Sequence, residues 1–289
     1  MTALPSFAGG TIWLNSAPLD PAALRGKVVL VDFWTLTCIN WLRAEPYVRA
    51  WSRAYRDDGL VVIGVHTPEF SFEHDADLVR QAVVSRDIDY PVVLDNEYAI
   101  WTAFANHYWP ALYFADRDGV IRDSHFGEGR YEKSEREIQR LLGIDRPPVS
   151  VTGEGAEAEA DWRHLRTAET YLGSERGAPG DWTTAGDWAF APECLVLELA
   201  GGSIDFRFHA RDAHLVMANP GGAPIPFRVT LDDLPPGPAH GVDTSPDGTG
   251  VLREGRMYQL IRQPGPIRER TLRITFEASG AEAYSFTFG

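Results

Sequence analysis

The eight residues Lys27–Trp34, KVVLVDFW, constrain the fold more than any other stretch of the chain. They are apolar and rich in β-branched side chains, which suits a strand buried on both faces in the middle of a mostly parallel sheet. A single carboxylate, Asp32, interrupts the run, and Cys38 follows shortly after it. Beyond Cys38 the residues Trp41, Leu42, Tyr47, Val48, Trp51 and Tyr55 recur at threes and fours. That spacing predicts a helix to about Asp57, kinked at Pro46 and ended near Gly59. Leu60–His66 (LVVIGVH) reads as a second buried strand, Glu73–Arg86 as a helix and Tyr90–Leu94 as a third strand. Glu97–Asn106 reads as a helix, Ala111–Ala115 and Val120–Phe126 as a hairpin turning on Asp116–Gly119, and Glu132–Leu142 as a closing helix. The alternation is that of an α/β domain, assigned to residues 1–145.

The pattern changes after it. Residues 146–164 carry Pro, Gly, Thr, alanines and acids, the composition of a solvated linker. Within residues 165–289 short alternating runs dominate, such as Ser203–His209, Phe227–Leu231, Thr271–Phe276 and Ala283–Phe288, separated by Gly, Pro and Asp clusters. This predicts an all-β sandwich of the jelly-roll or carbohydrate-binding-module type. Trp182 and Trp188 are expected to fill its core, with a sugar-binding face as the alternative.

A formal net charge of -14 excludes nucleic acid and anionic membrane surfaces as partners, because phosphates would be repelled. No apolar run approaches the roughly 20 residues that span a bilayer, and Met1–Gly10 has neither a basic patch nor an apolar core. As written the chain reads as cytoplasmic; as a piece of a membrane-anchored protein it would be extracytoplasmic. Two cysteines, Cys38 and Cys194, cannot build a disulfide scaffold, and the scattered histidines show no ligand spacing, so no metal and no cofactor are expected.

Cys38 sits after a central strand and at the start of a helix. Backbone N–H groups and the helix dipole favour an anion there, so the thiol can ionise below its usual value of about 8.5. Cys194, in an apolar strand-like run, reads as buried and inert, the alternative being a distant resolving thiol for Cys38 if their Cα atoms come closer than roughly 7 Å.

Here the chain resembles the thioredoxin-like redoxins related to TlpA and to the thiol-redox region of the DipZ proteins. The resemblance is carried by the VDFW strand, Thr37-Cys38-Ile39-Asn40, the run Gly64–Phe70 (GVHTPEF), Trp109-Pro110-Ala111 and Phe126-Gly127-Glu128-Gly129. In the second domain it is carried by Arg256–Ile261 and the closing Phe286–Gly289. The resemblance implies a thioredoxin fold, a catalytic Cys38 assisted by a buried Asp32, and a cis Pro110 in a loop that binds substrate together with Trp109, Thr37 and Trp41. The implied partners are proteins with thiols or disulfides, or low-molecular-weight thiols, with a carbohydrate or protein ligand for the β-domain. In one respect the chain departs from the family. The second cysteine of Cys-x-x-Cys would stand at position 41, where this chain has Trp41, a bulky indole expected to cover part of the approach to Cys38. Without an internal resolving thiol, the reading is monothiol mixed-disulfide chemistry. Two alternatives stand beside it: a thiol peroxidase, because Thr35 lies three residues before Cys38 as in peroxiredoxins, and a non-catalytic binding module on a redoxin scaffold.

Overall fold

The computed structural model describes residues 2–177 and 180–289. The chain divides into two compact units, Met1–Ala158 and Glu159–Gly289.

In the first unit the elements follow as β1 (Thr2–Ala3), β2 (Ile12–Leu14), β3 (Val28–Trp34), α1 (Ile39–Tyr55) and β4 (Leu60–His66). Then come α2 (Ala76–Ser85), β5 (Val92–Leu94), α3 (Ala99–Ala103), β6 (Ala111–Ala115), β7 (Val120–Phe126) and α4 (Tyr131–Leu142). The sheet order is β1-β7-β6-β3-β4-β5-β2. Every residue of β3 is buried, as its composition demands. The sheet is mixed, however, not mostly parallel. Among the described residues only β3–β4 and β4–β5 run parallel, because the β6–β7 hairpin docks antiparallel on β3 and short strands close both edges.

Alternation along β3 divides its side chains between two layers. Val29, Val31 and Phe33 join Ile63, Val65 and Tyr113 in one core cluster. Asp32 and Trp34 face the other way, toward α1, where Trp41 meets both. Helix α1 runs as one element through Pro46. The stretch predicted as one helix from Glu73 begins as a single 3-10 turn, Ser71–His74, and restarts as α2 behind Asp75, whose side chain accepts from the Asp77 amide.

Part of the stretch expected to be a solvated linker packs on this unit. The Val149 amide donates to Glu135, Arg146 bonds Asp58 at 2.6 Å, Ala156 is buried, and Glu157 pairs with Arg86 at 3.5 Å. Its alanines and polar backbone find apolar cover and acceptors here, which composition alone does not disclose.

The second unit comprises β8 (Thr170–Tyr171), β9 (Trp182–Ala185), β10 (Trp188–Phe190), β11 (Leu195–Leu197), β12 (Ser203–Phe208) and β13 (Asp212–Ala218). It continues with β14 (Ile225–Leu231), β15 (Thr249–Leu252), β16 (Arg256–Arg262), β17 (Arg270–Phe276) and β18 (Glu282–Phe288). One antiparallel sheet has the order β10-β11-β18-β13-β16, with β8 also paired to β18; the other runs β15-β14-β17-β12-β9. Phe206, Phe227, Ile274 and Phe276 of the second sheet share one buried cluster with Leu215, Tyr258, Phe286 and Phe288 of the first. Trp188 meets Phe276 edge-on at 5.9 Å and Trp182 packs on the same cluster, so both indoles serve the core. Among the described residues no helix is long and apolar enough to cross a membrane.

Candidate functional site

Cys38 is the N-cap residue of α1, with extended backbone at φ -69 and ψ 110, and its side chain is partly exposed. The first turn of α1 contains no acidic residue to oppose the positive end of the helix dipole. The thiol points at the Trp109 carbonyl oxygen, 3.7 Å away, and the Trp109–Pro110 peptide bond is cis. The structure therefore brings Cys38, Trp109 and Pro110 together. Pro110 is buried, and its carbonyl accepts from the Gly127 amide at 2.9 Å. Trp109 is half-buried against Trp101, and its Nε1 donates to the Thr67 carbonyl at 3.0 Å.

Trp41 does not lie over the thiol. It is fully buried, its indole stacked 4.3 Å from Trp34 at 16° and donating through Nε1 to Asp32 Oδ2 at 3.1 Å. The guanidinium of Arg86 stands 5.5 Å from the ring. The expectation of a substrate-facing indole is thus corrected. Three residues into the helix, position 41 falls on the face that packs against β3, where an indole can bury its rings and satisfy its N–H at once.

Asp32 is fully buried and held up to about 7, first by burial, against the Trp41 hydrogen bond, and further by the nearby Glu45. Its Oδ2 accepts from Trp41, the residue three positions after Cys38. Glu45, on α1 and likewise buried, is pushed up to about 7 by burial, with Arg49 and Arg86 opposing. His66 is buried against Trp34 and lowered to about 3 because burial disfavours its charged form.

Thr37 is likewise corrected. It is buried, and both its amide and its hydroxyl donate to Glu73 Oε1, at 3.0 and 2.9 Å, so neither donor is turned to a substrate. Thr35 donates through its hydroxyl to Glu73 Oε2 at 2.6 Å. That commitment removes the feature on which the peroxidase alternative rested. Glu45 and Glu73 are two buried carboxylates of this unit that sequence reasoning passed over. A Glu in the first turn of a short helix is a capping signal, yet it points to its own turn and not to a loop 36 residues earlier.

Cys194 is buried, and its thiol is pushed up to about 12 by burial, with Glu282 and Glu193 adding to the effect. No disulfide joins it to Cys38.

Residues 154–289 match the family model described as thioredoxin like C-terminal domain. Protein DipZ of Mycobacterium tuberculosis is 37% identical over 244 residues, covering 75% of this chain and 35% of DipZ, so the chain spans about a third of that relative. The thiol-disulfide oxidoreductase YkuV of Bacillus subtilis is 29% identical over 139 residues, 48% of this chain and 93% of YkuV. A solved thioredoxin-like protein in its oxidized form aligns with 50% of this chain and 97% of its own, at 29% identity and a TM-score of 0.46. The chain thus carries a thioredoxin-like domain followed by the C-terminal domain that accompanies it, and thiol-disulfide oxidoreductases of the thioredoxin family are among its relatives.

Proposed function

We propose that the first unit is a monothiol redoxin in which Cys38 forms mixed disulfides with protein or low-molecular-weight thiols. One observation carries this reading. The thiol is accessible at the start of α1 beside the Trp109 carbonyl, while position 41 holds an indole sealed into the core. In the reaction the Cys38 thiolate attacks one sulfur of a substrate disulfide. The substrate S–S bond breaks, a new S–S bond forms to Cys38, and the departing sulfur leaves with the electron pair and takes up a proton. Release then requires an external thiolate to attack the mixed disulfide. The Trp109–Pro110 segment is the edge along which an extended substrate would lie. The second unit we read as a β-sandwich. Its groove of about 360 Å³, lined by Arg166, Asp181, Arg207, His209 and Glu269 among others, is the place for a carbohydrate or protein ligand.

The test is the alkylation rate of Cys38 against pH in the folded protein, with Cys194 as internal comparison. A midpoint about one unit or more below 8.5 is expected, with Cys194 unlabelled. Cys38→Ser should lower thiol release from a mixed-disulfide probe by at least about 100-fold. Labelling only in denaturant, or a midpoint near 8.5, would sink the redox reading and leave the binding module.

A further inference from the structure

The fully buried carboxylate of Glu73 collects five hydrogen bonds. Oε2 accepts from the Thr35 hydroxyl at 2.6 Å and from the amides of Glu69 and Phe70 at 2.6 and 3.0 Å. Oε1 accepts from the Thr37 amide and hydroxyl at 3.0 and 2.9 Å. These donors belong to two separate segments. Thr35 and Thr37 form the turn that ends at Cys38. Glu69 and Phe70 belong to the loop after β4, whose Thr67 carbonyl receives the Trp109 indole N–H at 3.0 Å. One carboxylate therefore fixes the residue that precedes the thiol and, through the Thr67 loop, the residue whose carbonyl the thiol faces.

From this we infer that Glu73 is a positioning residue for Cys38, setting the direction of the thiol toward the Trp109–Pro110 segment and placing a buried negative charge behind it. The inference rests on the reading of Cys38 as the attacking thiol. Such an array of donors is what an ionised carboxylate accepts, and a neutral amide cannot reproduce it. Burial pushes the Glu73 carboxyl upward, the Thr35 hydroxyl and the Phe70 and Glu69 amides oppose this, and the Glu69 charge nearby adds to the rise. Thr37, which holds the Glu73 carboxylate through its amide and hydroxyl, is adjacent to Cys38, so negative charge at Glu73 acts on the thiol from behind and disfavours its ionised form.

The experiment compares wild type with Glu73→Gln by two readouts: the pH midpoint of Cys38 alkylation by iodoacetamide, and the rate of exchange with a peptide–thionitrobenzoate mixed disulfide. Removing the charge should lower the midpoint by about one unit. Below both midpoints alkylation should rise only about threefold, because a less basic thiolate is also a weaker nucleophile. Peptide exchange, which depends on the direction of attack, should fall at least about tenfold relative to alkylation. A folded Glu73→Gln protein with a lowered melting temperature but an unchanged midpoint and unchanged ratio would overturn the inference, because the residue would then be structural only. If Glu73→Gln does not fold, Thr37→Val removes one hydroxyl donor and spares the charge. The peptide-to-alkylation ratio should then drop with little change in the midpoint, and an unchanged ratio counts against positioning. Failure of the underlying redox reading is distinct, because wild-type Cys38 itself would then not label in the folded protein.

Discussion

Trp41→Cys converts the protein into a dithiol: Cys38 and the introduced thiol close an internal disulfide, and mixed disulfides discharge without added thiol. Positions 38 and 41 are three residues apart at the start of one helix, where side-chain β-carbons stand about 5–6 Å apart, within reach of a bridge after small adjustment. At submillimolar external thiol, release from a peptide mixed disulfide should be at least about tenfold faster than in wild type, because the second thiol acts at the effective concentration of a tethered group. The cost is structural. The change empties most of a fully buried indole site and strips Asp32 of its donor. Large-to-small replacements of this kind destabilise by about 3–5 kcal/mol, which for a domain of this size lowers the melting temperature by roughly 10 °C. Stopped-flow release of thionitrobenzoate and a thermal melt measure the two effects. A variant that still needs external thiol for every release, although folded, would refute the view that position 41 is what makes the chain monothiol.

Glu45→Leu should stabilise the protein, and increasingly so as the pH rises. Glu45 and Asp32 are both buried and both held up to about 7, far above their values in an unfolded chain. The folded state therefore keeps protons that the unfolded state has already lost. The contribution of these two groups is full below about pH 4 and is lost as the pH climbs through 7, by up to about 1.4 kcal/mol per unit for each proton retained. Leucine removes one of these groups. The gain should be small at pH 4.5 and about 2–3 kcal/mol at pH 8. His66, lowered to about 3, acts in the opposite sense, losing stability as the pH falls below 6.5, but it is common to both proteins and cancels. Against the gain stands the loss of the Arg49 partner at 3.5 Å. That loss is the smaller effect: the Arg49 side chain is 20% exposed and can hydrate, and Arg86 keeps Glu157. Chemical denaturation at the two pH values decides it, and a difference that does not grow with pH would contradict the shifted carboxylates.

Much of this is legible in the sequence. The runs at 28–34 and 60–66 announce buried central strands because no surface strand is so uniformly apolar. Asp32 declares itself by interrupting one of them. Glu45 is readable in principle: with Trp41, Val48, Ser52 and Tyr55 it lies on the inner stripe of α1 at spacings of four and three, yet a charge between Ala44 and Pro46 reads as solvated. Tyr47, counted with that stripe, stands at its edge and stacks on Tyr131 at 3.8 Å. The Glu73 staple is not readable, since it joins segments 36 residues apart and leaves no period in the sequence. The inward turn of Trp41 escapes for a related reason. Spacing says that a residue shares a face with Cys38, but not whether its rings lie over the helix end or under it.

The position of β18 has a consequence for synthesis. Residues 282–288 form the last strand in chain order, yet they lie between β11 on one side and β13 on the other. During vectorial translation the first unit has all its strands at hand once residue 126 has emerged, and it can fold while the remainder is made. The second unit cannot. Its six-stranded sheet lacks its central strand until residues 282–288 have emerged. Until then β11 and β13 wait with unpaired edges, and this is the interval in which a nascent chain is most exposed to misassembly.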